Sequence, residues 1–383
     1  MKRISLFVLL LCACLVLTAC KAADPDNLFE ISAGSTVPSD TESTQTEPNE
    51  TESAPSDAEE VILYTGTYPY GNMQKNVPSG DFMLLGNDVM FTYVGDTHFM
   101  LYRYNLINEE VRLYCEDATC EHRDCAAGSI CGNLEAYNGK LYATIVNEKK
   151  GGTFQPVVYN GDTTEILVSG DVGSFFHHED KMYMTTSDSS LMVLEEGKKE
   201  PQMLIEEYTG IWTVIFGNYL YANSADGYTV IRVDLTAEEP KEEVIVSNAR
   251  GMTDGEHIYY MEAKTKLLYR CDMDGNNSEL LIDQPVVWAS INFDEEFFYY
   301  RLYTDLQLDG TADSRDIYRF PKEDPKQIEK IATLPESVHQ IFTVPGTDKI
   351  FVKTVTRESN EVPDIYVMGT DGSNMKVLEI PEY

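Results

Sequence analysis

The chain has 383 residues, a formal net charge of −35 and a sequence pI near 4.4, with 43% apolar residues and 24 tyrosines. That apolar content supports a packed core, and the length admits either two ordinary domains or one large all-β domain. The charge excludes nucleic acid and anionic lipid headgroups as partners, because both would be repelled at long range.

Residues 1–20 read MKRISLFVLLLCACLVLTAC. Lys2 and Arg3 make a basic start, and residues 4–17 form an apolar run too short for a comfortable mature membrane span. Leu17-Thr18-Ala19-Cys20 resembles the bacterial lipobox. The resemblance implies that residues 1–19 are a lipoprotein signal peptide, removed together with Cys12 and Cys14. The Cys20 sulfur would then carry the lipid, with palmitate among the acyl groups. A signal with a coincidental Cys and an uncleaved anchor are the alternatives. Two acyl chains make a stable anchor where one is marginal, so the expected location is the cell membrane, lipid-anchored and facing outside the cytoplasm. Residues 21–60 hold one Lys and eleven acidic residues among Ser, Thr and Pro. Such a segment cannot bury enough apolar surface to offset its ordering entropy, so residues 20–60 are expected to be a disordered linker.

From residue 61 onward, short runs of Tyr, Phe, Val, Ile and Leu alternate with Gly/Asp/Asn turns, and no long helical periodicity appears. An aromatic phrase recurs at Val89, Leu141, Met182, Leu220, Ile258, Phe298 and Ile350, at intervals of about 40 residues. Most copies lead to a second strand, such as Leu268-Tyr269-Arg270, then a turn and a third strand such as Glu279–Ile282. This is the pattern of an all-β fold, a β-propeller, over residues 61–383. One four-stranded sheet cannot cover both its faces, whereas radial stacking gives every sheet two neighbours. The count predicts seven blades, with six or eight as alternatives, and VILYTGT (61–67) is a candidate strand for closing the ring.

Ile258-Tyr259-Tyr260-Met261-Glu262, Leu268-Tyr269-Arg270 and Asp272-Met273-Asp274-Gly275-Asn276-Asn277 resemble the YWTD blades of low-density-lipoprotein-receptor-type propellers. Tyr260 stands in place of the Trp, and Met261-Glu262 in place of Thr-Asp. The whole chain also resembles bacterial lipoproteins that carry such a propeller behind a lipobox and an acidic stalk. Both resemblances imply a fold and no chemistry. In Asp272–Asn277 the Gly falls at the fourth position, not the sixth of a calcium loop, so a hairpin turn is expected.

The unusual constellation is CEDATCEHRDCAAGSIC, residues 115–131, in one of the two longest intervals of the repeat. Cys115, Cys120, His122, Cys125 and Cys131 admit three readings. Two disulfides would staple an insertion lacking its own core, as an exported location permits, with three pairings open. A zinc site on three or four of the five is chemically reasonable, although tight Cys-x2-Cys knuckles are absent. A redox-active pair is the third. The stapled loop is the favoured expectation, and no cofactor is expected, with zinc as the alternative.

His177 and His178 lie in FFHHED and are expected to be a solvated pair next to a turn, pointing to opposite faces of a strand. Residues 303–315, in the other long interval, are expected to form a solvated hairpin. Nucleophile-elbow, P-loop, dinucleotide and His-Glu-x-x-His signatures are absent from the sequence. The expected function is therefore a non-enzymatic, monomeric interaction module for an envelope protein, peptide or glycan. An envelope hydrolase or lyase using channel-mouth acids, and a metal or redox sensor on the Cys-rich loop, are the alternatives.

Overall fold

The computed structural model describes residues 81–381 apart from 95–98, 118, 121, 123–124, 126, 129, 131–132, 148–151, 161–162, 304–313 and 356–362. The signal, the acidic linker and the candidate closing strand 61–67 lie outside the described residues.

Seven antiparallel sheets follow one another along the chain, each made of four consecutive strands. Blade 1 comprises Phe82–Leu85, Asp88–Val94, Phe99–Asn105 and Val111–Leu113. Blade 2 comprises Glu135–Tyr137, Lys140–Asn147, Thr153–Asn160 and Thr163–Ile166. Blade 3 comprises Val172–His178, Lys181–Thr186, Leu191–Glu195 and Gln202–Ile205. Blade 4 comprises Gly210–Phe216, Tyr219–Ser224, Thr229–Asp234 and Glu242–Ser247. Blade 5 comprises Ala249–Thr253, His257–Glu262, Leu268–Asp272 and Glu279–Ile282. Blade 6 comprises Asn292–Phe293, Phe297–Tyr300, Asp316–Pro321 and Glu329–Thr333. Blade 7 comprises Ser337–Thr343, Lys349–Val355, Ile365–Gly369 and Lys376–Val377. The fold is a seven-bladed β-propeller, as the repeat count predicts, and a 3-10 turn at Trp288–Ser290 is the one helical element among the described residues.

All seven aromatic anchors fall in the second strand of their blades. The strand missing from the repeat phrase is therefore the innermost one. It carries little alternation of its own: blade 5 begins with Ala249–Thr253, ARGMT, in which Gly251 sits so close to Val230 that an added Cβ would lie 2.5 Å from its Cγ2.

Buried apolar residues fall into seven clusters, one for each seam between neighbouring blades. Tyr259, Phe293, Phe298 and Phe320, for example, fill the seam of blades 5 and 6. Apolar side chains on both faces of a blade explain why its strands read as nearly continuous aromatic runs.

The polar parts of the repeat join the blades on the turn side. In blade 4, Arg232 pairs with Glu243 on its own outer strand and reaches the Met273 carbonyl of blade 5 at 3.2 Å. Arg270 repeats this with Glu279 and the Lys322 carbonyl, and Arg319 with Glu329 and the Thr370 carbonyl. Glycine completes the contact. Gly275 at φ 80° and Gly372 at φ 82° press against the Ile245 and Ile331 carbonyls of the preceding blades, where a Cβ would clash. The Asp-Gly turn itself is a hairpin turn, as expected: Asp272 Oδ1 accepts the backbone N–H groups of Asp274 and Asn276.

Blade 7 has Val367 where these blades have arginine. It is joined to blade 1 by a different clasp, in which Lys349 and Lys376 both bind Glu109 in the turn of blade 1. Lys353 binds Asp81 at 2.7 Å, and Phe82 stacks on Phe342 at 5.7 Å. The seam of blades 1 and 7 is thus closed by side chains from four-stranded sheets at the two ends of the described chain.

Two outcomes test this closure. Phe82→Ala, at a site 1% exposed, is expected to cost about 3–5 kcal/mol, measured as a lower denaturant midpoint. The Lys349 and Lys376 ammonium groups hold Glu109 well below its ordinary value near 4.5, at about 2. Because the folded value is the lower one, the clasp contributes fully above about pH 4.5 and is lost as pH falls toward 2. Glu109 is partly exposed, so the contribution is small after solvent screening. Glu109→Gln is expected to flatten the acid limb of the stability profile in that window.

Candidate metal centre

Antiparallel order fixes which connections share a face. In every blade the inner strand starts on the side where the second strand ends, so interblade connections and second-to-third-strand connections emerge together. The described residues of 114–134, 283–291, 301–303, 314–315 and 363–364 lie on this loop face, whereas the arginine-docked turns lie on the other.

The segment after blade 1 is stitched into the core, contrary to the expectation of an insertion without one. Leu101 and Tyr114 are joined by a backbone bond of 2.8 Å, and Leu101 N–H also donates to the Ala127 carbonyl. Cys115 and Ala127 are buried in the cluster of blades 1 and 7, and Ile130 and Leu134 in that of blades 1 and 2. An isolated bridge pairs Ile130 with Ile145.

Within this frame the chain folds back on itself. Asp117 accepts bonds from the Thr119 N–H and hydroxyl, and its carbonyl accepts the Cys120 N–H, which returns Cys120 toward Cys115. His122 adopts φ 55°, and the Gly128 N–H closes a turn on the Cys125 carbonyl. As a result one ligand atom each from Cys115, Cys120, His122 and Cys125 lie within 4.8 Å of one another. His122 Nδ1 is 3.6 Å from Cys125 Sγ. The His122 and Ala127 N–H groups point at the Cys120 and Cys125 sulfurs, both at 3.4 Å. Such backbone donors stabilise sulfur as thiolate.

A tetrahedral zinc holds sulfur and nitrogen ligands about 3.3–3.8 Å apart, so the four groups fit a metal after a small contraction. Cys115, Cys120 and Cys125 are free thiols. A disulfide among them would use two sulfurs and leave the imbricated third thiol and imidazole without a role. Cys131 lies outside the described residues, and so does Cys20. Burial pushes the Cys125 thiol up to about 11, with the Cys120 and Cys115 thiols adding to the rise. A bound cation reverses that balance, since coordination deprotonates a thiol. Cys271 is a buried small hydrophobe in the seam of blades 4 and 5.

His177 and His178 correct the solvated expectation. His177 is packed between the rings of Tyr137 and Tyr142, and its Nδ1 lies 2.8 Å from Glu135, which is 3% exposed. Glu135 also accepts the His177 backbone N–H. The two imidazoles do point to opposite sides: burial lowers the pKa of His178, which faces Gly217 of blade 4. Nothing in the local sequence marks Glu135 as its partner, because the pair spans two blades. Of the hairpin expected at 303–315, residues 304–313 lie outside the described residues.

No family model and no curated protein matches the chain. Among solved structures, it is similar to the β-propeller domain of the Trilobed protease from Pyrococcus furiosus, which has an open velcro topology. The TM-score is 0.50 at 14% identity, over 79% of this chain and 97% of that one. It is also similar to an oligogalacturonate lyase from Vibrio parahaemolyticus, with TM-score 0.46 and 13% identity, over 78% of this chain and 86% of that one. At these identities the first likeness extends to the fold alone.

The site predicts a simple stoichiometry. Full-length protein prepared without chelator is expected to carry about one zinc per chain, lost in Cys120→Ser, with Cys115, Cys120 and Cys125 unreactive to thiol reagent until chelator is added. Oxidised thiols and no metal by elemental analysis would restore the stapled loop.

Proposed function

We propose that the protein is an extracytoplasmic lipoprotein, anchored through Cys20, whose propeller is a non-enzymatic binding module with a structural zinc in its loop face. The observation that carries the reading is the convergence of three sulfurs and one imidazole at Cys115, Cys120, His122 and Cys125, on the face where the longest connections emerge. Three thiolates and an imidazole complete a four-coordinate zinc site and leave no open position, as in structural and not catalytic centres. Zinc there would fix the shape of a segment whose described residues are tied to the strands at Leu101 and Ile145.

The ligand is an envelope protein, peptide or glycan bound on the loop face. A hydrolase of glycans ordinarily needs a carboxyl that keeps its proton near neutrality beside a second carboxylate. Among the described residues, the interior carboxylates are engaged: Glu135 by the His177 ring and backbone N–H, Asp254 by Lys322 at 3.3 Å, and Asp81 by Lys353. Every described carboxylate with a shifted pKa is shifted downward, including Glu109, Asp226 and Asp272. These features support binding over acid–base chemistry. The anchor rests on residues 1–20, and the reach from the membrane on the acidic residues 21–60.

Expressed in a bacterial host, the wild type is expected in the membrane fraction with label from palmitate, and Cys20→Ser in the soluble fraction without it. On glycan and peptide arrays, chelator is expected to weaken ligand capture by the loop face while the far-UV spectrum stays that of the folded propeller. Turnover of a captured glycan or peptide would sink the binding reading, and retention of Cys20→Ser in the membrane would sink the anchor.

A further inference from the structure

The geometry points to a carboxylate-binding site at the loop-face end of the seam between blades 6 and 7, with Arg301 as its cationic receptor. The inference rests on the binding reading above and names the chemistry of the ligand.

Arg301 follows the second strand of blade 6 and is 6% exposed. Its backbone is tied down, since its carbonyl accepts the Val287 N–H and the adjacent Leu302 bridges Val286. Its side chain is not: Nε and Nη1 are both sealed from solvent and make no hydrogen bond. A guanidinium cannot shed this cost by losing its proton, because burial pushes its pKa down only to about 10. It stays a cation at neutral pH with N–H groups unsatisfied, a state that is strongly unfavourable without a counter-charge.

Among the described residues the neighbourhood lacks that counter-charge and supplies further polar groups without partners. Ser314, fully buried at the other end of the same connection, has an unpaired hydroxyl, and its carbonyl accepts the Val338 N–H of blade 7. Trp288, in the 3-10 turn that packs against the inner strand of blade 7, has an unpaired indole N–H. Burial lowers the pKa of His339 on that strand, and the positive charges of Lys353 and Arg301 lower it further. The acid opposing them there, Asp81, is already engaged by Lys353 at 2.7 Å. The unpaired atoms of Arg301 and Ser314 can donate, and Gln340 on the inner strand of blade 7, equally buried and unpaired, offers a donor and an acceptor beside them. Elsewhere in the described interior, Lys322, Lys353 and His177 each have their own acid. A chain with net charge −35 that buries an unmatched guanidinium is suited to a ligand that brings its own negative charge. Planar carboxylate oxygens accept from a guanidinium and from hydroxyl and amide donors together.

The test uses the full chain in detergent micelles, titrated calorimetrically with acetate, D-glucuronate and citrate at constant ionic strength. Inorganic phosphate serves as the anion control. Wild type is expected to bind at least one carboxylate saturably and more tightly than phosphate, and to unfold at a higher temperature in its presence. Arg301→Gln is expected to weaken that binding at least about tenfold. Without ligand it should unfold at an unchanged or higher temperature, since it removes an unpaired buried charge. Arg301→Lys, which keeps the charge on a different donor geometry, should fall between the two.

No carboxylate binding by wild type, or a ligand-free Arg301→Gln that unfolds several degrees lower, would overturn the proposal and make Arg301 structural. So would probe binding that appears only after Asp305, Asp309 and Asp313 are all changed to Asn, because the guanidinium would then belong to the chain's own acids. Array capture that survives Arg301→Gln removes Arg301 from ligand binding and leaves the binding module standing. Consumption of a bound probe keeps the Arg301 site and overturns the binding module.

Discussion

The docking of the third-to-fourth-strand turns of blades 5, 6 and 7 onto the blade before each is the contact on which that half of the ring depends. A seven-membered ring of sheets has no common core; its apolar residues are divided among seven seams. Apolar packing alone leaves sheets free to slide and splay. The arginines at 232, 270 and 319 remove that freedom by holding a carboxylate of their own blade and a carbonyl of the next. Gly275 and Gly372 allow the turn to approach closely enough for the bond to form. The arginines are largely buried at the side chain, from 12% to 18% exposed, so these bonds are less screened than ordinary surface pairs.

With the turn side committed to holding blades together, the loop face is left for chemistry. Two features stand there on different physical footings. The Cys3His cluster is built from one contiguous segment, and its convergence is a local fold-back fixed by an Asp117 turn and anchored at Leu101. The Arg301 seam is assembled from three places in the chain, brought together by blade stacking. A metal at the first would set the shape of one loop, while a carboxylate at the second would satisfy a charge the fold leaves open.

The repeat was legible because the second strand of each blade lies between two neighbouring blades and alternates little, giving an aromatic phrase at every anchor from Val89 to Ile350. The inner strands were not, since close packing at the ring centre selects residues such as Gly251, Glu135 and Asn292 that break a hydrophobic pattern. The candidate metal residues were visible as a cluster, but their ranking was not. Spacing alone leaves disulfide and metal readings open, and the position of the His122 imidazole beside Cys125 is what gives the cluster the donor set of a metal site. His177 misled for a related reason: a His-His-Glu-Asp run next to a turn reads as solvated, yet Glu135 from the preceding blade buries and pairs it.

The sequence by itself determined the all-β repeat and its sevenfold count, because hydrophobic spacing and Asp-Gly turns are local properties that survive without coordinates. It also carried, in residues 1–20, the lipobox resemblance on which the proposed anchor rests. Only the tertiary structure decided which polar groups meet. Glu109 meets Lys376 across the closing seam, Glu135 meets His177, and Arg301 meets no acid among the described residues. Partnership of buried charges is set by which blades are neighbours in the ring, and sequence separation says nothing about that.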